Sequence, residues 1–216
     1  MNIVKYIHNE HIYINKFFRG IPLIVPVIII ITGICIKDRL LIYLFIGWLF
    51  VELITYVLKN IIFLFIQNMI TFITNDSDYI DYPIIGRFKR PDGAKNAGVF
   101  YESECNISTS QGMPSGHSMI AAFVGTFIYY HIIDKYNIEQ NKKPSLLISC
   151  ILFTLYTMYS RVYIFKVHTA QQTIIGCCIG IIFATYYYQF VKKWDDKMYK
   201  QYISKIDQGY FKSKKN

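Results

Sequence analysis

The chain has 216 residues, of which 53% are apolar, 17% aromatic and only 17% charged, and its mean hydropathy is +0.28. That length suits a single domain spanning 1–216, and the composition excludes a disordered chain and argues against an ordinary soluble globule, leaving the membrane class. The net charge of +9 is unevenly spread: eight of the 23 basic residues lie between Lys192 and Lys215 with no nucleic-acid recognition motif beside them, so 192–216 reads as a basic, membrane-proximal cytoplasmic tail and no nucleic-acid partner is expected.

In chain order, residues 1–19 are mixed polar and aromatic and read as a cytoplasmic N-terminal segment. The apolar run that follows lacks a small-x-small cleavage pattern, so it is expected to be a retained span. Apolar runs occupy 20–36, 40–58, 61–73, 118–133, 145–160 and 173–191. Most approach the 17–25 residues that a helix needs to cross a bilayer, and a backbone in lipid must satisfy its own hydrogen bonds. The expected fold is therefore an all-α integral membrane bundle of about six transmembrane helices. The third run is short and carries Gln67 and Asn68.

Basic residues set the expected orientation. Six spans put fifteen of them on the side of both termini and eight on the other. Both termini are then cytoplasmic and the 74–117 loop is extracytoplasmic. Whatever the count, two spans separate the 74–117 and 161–171 loops, so these loops share a face.

That shared face collects "GRFKRP" at 86–91, "GMPSGHS" at 112–118 and "YSRVYIFKVHTAQQ" at 159–172. Arg90 and Arg161 have the forked guanidinium that suits phosphate oxygens. The amides from Ser115 to Ser118 open a helix, where unpaired donors and partial positive charge favour an anion. Pro114 sets up the helix start, and Gly116 removes a side chain where a ligand oxygen must come close. Two histidines, His117 and His168, can divide phosphoryl chemistry between them: one attacks phosphorus as a neutral nitrogen, the other protonates the departing oxygen. Neither role requires a cofactor or metal, and no cluster with metal-ligand spacing is present. Of Cys35, Cys105, Cys150, Cys177 and Cys178, four sit in apolar runs, and Cys105 has no evident partner, so neither a disulfide framework nor a zinc site is expected.

"RP", "PSGH" and "SR…H" in this order resemble the type 2 phosphatidic acid phosphatase superfamily, which includes dolichyl-diphosphate phosphatases, glucose-6-phosphatases and vanadium haloperoxidases. The blocks span residues 90–172, and the helix layout extends the likeness over most of the chain. The resemblance implies that His168 is the nucleophile and forms a phosphohistidine, with His117 the acid toward the leaving group and then the base toward water. It implies that Arg90, Ser115, Gly116 and Arg161 hold the phosphoryl oxygens.

Three departures stand out. The family's first-block Lys is Pro83 here, leaving Arg87, Lys89 or, after an insertion, Lys59 to supply the charge; six spans would put Lys59 on the wrong side. Six residues separate Arg161 from His168 where the family has five, implying a bulge or shifted loop. The orienting Asp after the nucleophile is Gln172, which can still fix the imidazole tautomer by accepting from its N–H. Dolichyl-diphosphate phosphatases and glucose-6-phosphatases also carry Gln there, and the "GM" before "PSGH" is similar to the dolichyl branch.

Outside the constellation, His8, His11 and His131 read as interfacial or structural, and Lys95, Lys166, Asp76, Asp78 and Asp81 as solvated. The Tyr-rich stretch 186–188 reads as an interfacial belt. "NIS" at 106–108 matches a glycosylation acceptor, and the long 75–111 loop is expected to shape headgroup access. The expected activity is metal-independent hydrolysis of a lipid phosphate or polyprenyl diphosphate at the extracytoplasmic surface, with membrane lipids as the surrounding partner. A catalytically inactive lipid-binding or scaffold protein of the same fold is the competing reading.

Overall fold

The computed structural model describes residues 3–74, 87–94, 107, 110–136 and 138–213. Expectations for Asp76, Asp78, Asp81, Lys95, Cys105, most of the 75–111 loop and the two ends of the 106–108 sequon lie outside these residues, as do those for the side chains of His8 and His11.

Among the described residues the chain is all helical apart from one isolated antiparallel bridge, Lys89 with Gln111. Helix α1 is Ile3–Cys35, α2 Arg39–Val57, α3 Leu64–Thr74, α4 Gly116–Tyr136, α5 Lys143–Tyr159 and α6 Ala170–Ser213. A π-helical turn, Leu58–Phe63, joins α2 to α3 without a break, and a second, Ser160–Ile164, extends α5. The second and third apolar runs are thus one rod, and among the described residues five helices are long and apolar enough to cross a membrane where about six were expected. The reason is local: "LKNIIF" holds no Gly or Pro, and its one turn former, Asn60, donates back to the Tyr56 carbonyl at 3.0 Å, so nothing ends the helix and an i→i+5 turn absorbs the polar Lys59 and Asn60. With five alternating spans the N-terminal end of α1 and the C-terminal end of α6 lie at opposite ends of the bundle, not together.

Helix α4 is central: 56% of its apolar stretch is buried inside the protein, against 22–28% for the other spans. Elsewhere large apolar side chains face outward, among them Leu49, Phe50 and Leu53 on α2 and Ile148, Leu152 and Leu155 on α5. In lipid an outward Leu or Ile costs nothing, so such a surface belongs to a membrane protein.

What holds α6 against α4 is a pair of glycines four apart. A Cβ on Gly176 would sit 2.5 Å from the Ser115 carbonyl oxygen, and one on Gly180 would sit 2.3 Å from that of Met119. Without side chains there, the two backbones touch, the usual device for joining helices in lipid. Above this seam Phe123 and Phe127 pack on Phe183, Tyr187 and Tyr188, with ring centroids 5.0–6.1 Å apart. Tyr186 is 70% exposed, as a belt residue should be, but Tyr188 is 4% exposed and donates to Asp134, while Tyr187 donates to the Tyr43 carbonyl. Two of the three tyrosines are therefore core anchors rather than belt.

The end remote from the 74–117 and 161–171 loops is clasped by charge. Asp38 caps α2 by accepting from the Leu40 amide, and its other oxygen accepts from His131 at 2.9 Å and from Lys135. Asp134 pairs with Lys192, and Arg39 with Asp195 at 3.1 Å. Burial alone would raise the Asp38 pKa; the Lys135 hydrogen bond and the His131 charge outweigh it and hold the carboxyl below its ordinary range.

Candidate active site

At the other end of the bundle, residues 87–90 and 111–115 lie side by side. Phe88 O accepts the amides of Gly112 at 2.8 Å and Met113 at 3.1 Å. Gln111 donates through Nε2 to Gln67 Oε1 at 2.9 Å, and the Phe88 ring sits 5.8 Å from that of Phe63. The polar residue that weakened the third apolar run is thus an anchor for the loop that carries the "RP" block.

His168 is 3% exposed. Its Nδ1 lies 3.0 Å from Gln172 Oε1, which also accepts the Thr169 amide at 3.2 Å. Gln172 Nε2 donates to the carbonyls of Arg87 and Lys89, both at 2.8 Å. These partners fix the amide orientation, because a flipped amide would oppose its oxygen to two carbonyl oxygens. With Oε1 committed as acceptor, Nδ1 of His168 carries hydrogen and the lone pair of the neutral ring is on Nε2. Gly112 is needed for the same reason: a Cβ there would lie 2.4 Å from Gln172 Nε2.

Burial first, then the charges of Lys59, Arg161 and Arg90, hold the His168 pKa well below the ordinary imidazole value of 6.5, with the Gln172 hydrogen bond opposing. The same three cations act on His117, so both imidazoles share one cationic field. His117 Nε2 is 3.3 Å from the Arg19 carbonyl oxygen, which can only accept, so this nitrogen carries a hydrogen.

Arg161 is 2% exposed with its guanidinium carbon 5.3 Å over the Phe165 ring, and neither Nε nor Nη1 has a hydrogen-bond partner among the described residues. Arg90 Nε is likewise buried without a partner, and burial pulls the Arg90 pKa below its ordinary value. Buried donors are nearly always paired, so guanidinium donors left without partners on two arginines in one field suit an anion.

The extra residue between Arg161 and His168 is taken up locally. Ser160–Ile164 is the π-helical turn, the Phe165 amide donates to Ser160 O at 2.8 Å, and Lys166 adopts φ 51°. The chain then doubles back so that the Val167 amide meets Arg161 O at 3.0 Å. A π turn holds one residue more than the α turn it replaces.

The structure thus gathers His117, His168, Gln172, Arg90, Arg161, Ser115 and Gly116 at one end of the bundle. Two assignments change in detail. The Ser115 amide donates to Gln172 O at 3.0 Å and its hydroxyl accepts from Ser118 Oγ at 3.1 Å, so the open helix-start donors are those after Ser115, whose own carbonyl takes Met119 N. Lys89 supplies its carbonyl to Gln172, and the third cation acting on the imidazoles is Lys59, not Lys89. Arg87 pairs with Asp92 at 3.0 Å.

The six-span count puts Lys59 on the wrong side, and the structure corrects it. In the continuous rod it projects from the π turn toward Arg90 and Arg161, with Glu52 its anionic neighbour two turns away. Arg19 on α1 was missed altogether; its charge reaches Arg161 and its carbonyl meets His117. The available signal for Lys59 was a Glu–Lys pair seven apart inside an apolar run, readable as one face only if the two runs form a single helix. Nothing in the sequence marks Arg19.

The PAP2 superfamily matches residues 39–196. The fold is similar to that of a transmembrane PAP2-type phosphatidylglycerolphosphate phosphatase from Bacillus subtilis, solved by crystallography. The TM-score is 0.53 at 21% identity, covering 84% of this chain and 78% of that one. No match was found among curated proteins.

Proposed function

The chain belongs to the PAP2 superfamily, and we propose that it is an integral membrane phosphatase acting on a lipid phosphate or lipid diphosphate through a phosphohistidine. The observation that carries this reading is the Gln172–His168 hydrogen bond, which leaves Nε2 as the nucleophilic nitrogen of a neutral, buried ring.

In the first step Nε2 of His168 attacks phosphorus as the bond from phosphorus to the lipid oxygen breaks. His117 enters this step with hydrogen on both ring nitrogens, its charge balanced by the bound phosphate, and gives one proton to that oxygen, which leaves the ring neutral. In the second step His117, now neutral, accepts a proton from water as the water oxygen displaces His168 from phosphorus, releasing inorganic phosphate. Charge on the equatorial oxygens is stabilised by Arg90, Arg161 and Lys59 and by the first-turn amides of α4. Lys59 answers the missing first-block Lys, and the π turn answers the altered Arg–His spacing. Those two departures are what would favour a catalytically inactive protein of the same fold.

The catalytic end is the less basic one: with five spans, thirteen basic residues lie at the C-terminal end and ten at the catalytic end, counting Lys59. That excess of three, through the positive-inside bias, supports a site outside the cytosol and a tail within it. The test is phosphate release from a panel of lipid phosphates by detergent-purified protein beside His168→Ala. The wild type is expected to turn over and the variant to fall by about 10³-fold or more. Full turnover in His168→Ala, or no release by folded wild type across the panel, would end the reading.

A further inference from the structure

The catalytic end accounts for a phosphate but not for the rest of a lipid. Below it, between α5 and α6 and floored by α4, runs an apolar trough of about 350 Å³ lined by Ala122, Tyr129, Ile151, Leu155, Cys177 and Ile181, among others. We infer that this trough holds the hydrocarbon chain of the substrate whose phosphate sits between His117 and His168, an inference that rests on the phosphatase reading.

Its position argues first. All three walls begin at the site: α4 opens at Gly116, beside His117, α5 runs on into Arg161, and α6 opens two residues after His168. Ala122 lies five residues beyond His117, Cys177 five beyond Gln172 and Leu155 six before Arg161. At 1.5 Å per residue each wall therefore meets the trough about 8–9 Å below the catalytic groups. The few atoms that join a phosphate ester to a hydrocarbon chain span that depth. On α4 the trough continues to Tyr129, about 18 Å below His117, which is well into a bilayer leaflet.

Its chemistry and origin agree. Of its hydroxyl residues, Thr126, Tyr129, Tyr130 and Thr154, the last donates to Cys150 O at 3.0 Å, so the polarity it brings to the α5 wall is spent on its own helix. The lips Ile151, Leu155 and Ile181 are 43–51% exposed, which leaves the trough open sideways to lipid. A chain can enter from the membrane without its apolar part crossing the headgroup layer. The gap follows from the glycine seam: Gly176 and Gly180 draw α6 onto α4, and α5, packed on another face of α4 where a Gly125 Cβ would lie 3.5 Å from Cys150 O, stands off from α6.

The test maps the chain directly and then reads kinetics. A long-chain lipid phosphate with a photoactivatable diazirine mid-chain is crosslinked to full-length wild type in detergent, and the adducts are located by mass spectrometry. Adducts concentrated on 122–130, 147–155 and 177–181 are expected; adducts spread evenly round the lipid-facing belt would overturn the inference. Ile151→Trp and Cys177→Phe, which fill the trough from two walls, are expected to cut kcat/KM for the long-chain substrate at least tenfold while leaving a short-chain, water-soluble phosphate ester within twofold. Equal losses on both substrates, or none on either, would also overturn it. Mapped adducts without phosphate release from any substrate would sink the phosphatase reading and leave the trough as a lipid-chain site.

Discussion

Gln172 and His168, four residues apart at the start of α6, are joined by a 3.0 Å hydrogen bond whose polarity is dictated from outside the pair. The carbonyls of Arg87 and Lys89 both accept from Gln172 Nε2, so Oε1 is the atom left for the imidazole. One amide therefore sets a tautomer and ties the "RP" segment to the third block. A carboxylate could do only the first.

This gives the first prediction. Gln172→Glu is expected to lose activity by about 10²-fold or more and to unfold with about 1–3 kcal/mol less stability, because the new oxygen faces two buried carbonyls. Steady-state kinetics and a denaturation curve check it. A variant as active and stable as wild type would remove the dual role.

The pH profile follows from the His168 environment. Burial and the Lys59, Arg161 and Arg90 charges favour the neutral ring, so the acid limb of kcat/KM belongs below pH 6.5. Each cation pushes the pKa down, so Lys59→Met should move that limb upward, toward the ordinary imidazole value. An unmoved limb would separate Lys59 from the nucleophile.

Lys59→Ala is also expected to lower kcat/KM about 10–100-fold, with Lys59→Arg keeping more activity than Ala. The measurement is phosphate release at saturating and limiting substrate. Unchanged kinetics in Lys59→Ala would leave the site without a third cation.

Gly180→Ala and Gly176→Ala test the seam between α4 and α6. Each new methyl meets a backbone oxygen at 2.3–2.5 Å, and a cost of about 1–3 kcal/mol is expected from overpacking. Gly176→Ala should lose more activity than its stability loss explains, since the oxygen it displaces belongs to Ser115. Equal activity per folded molecule in the two variants would contradict that.

At the far end, Asp38→Asn is expected to cost roughly 2–3 kcal/mol while leaving kcat unchanged in the folded fraction. The Asp38 pKa is lowered by Lys135 and His131 against burial, so its contribution is present above the unfolded carboxyl pKa and is lost as pH falls through the lower folded value. Melting temperature against pH should therefore decline in acid more steeply for wild type than for Asp38→Asn.

Much of this was legible in the chain. The apolar runs announced helices in lipid, and "RP", "PSGH" and "SR…H" named six residues that meet at one end, with Gln172 four residues after the last. The span count was not legible, because Leu58–Phe63 looks like a break in hydropathy yet holds no Gly or Pro, and its Asn60 bonds back to its own helix. That one difference moved the N-terminal end of α1 to the catalytic end and Lys59 into the pocket. The GCCIG stretch at 176–180 reads as small residues in an apolar run, and only the approach of α4 shows what it is for.

The sequence by itself determined that the chain lives in a membrane, that its helices satisfy their own backbone, and that two loops carrying paired arginines and histidines share one face. These are properties of hydropathy and order along the chain. The tertiary structure alone decided which cations surround the imidazoles, which nitrogen of His168 holds the proton and where an apolar trough opens between α5 and α6. Those depend on residues tens of positions apart approaching within a few ångströms, and linear spacing does not encode such distances once a π turn shifts the helical phase.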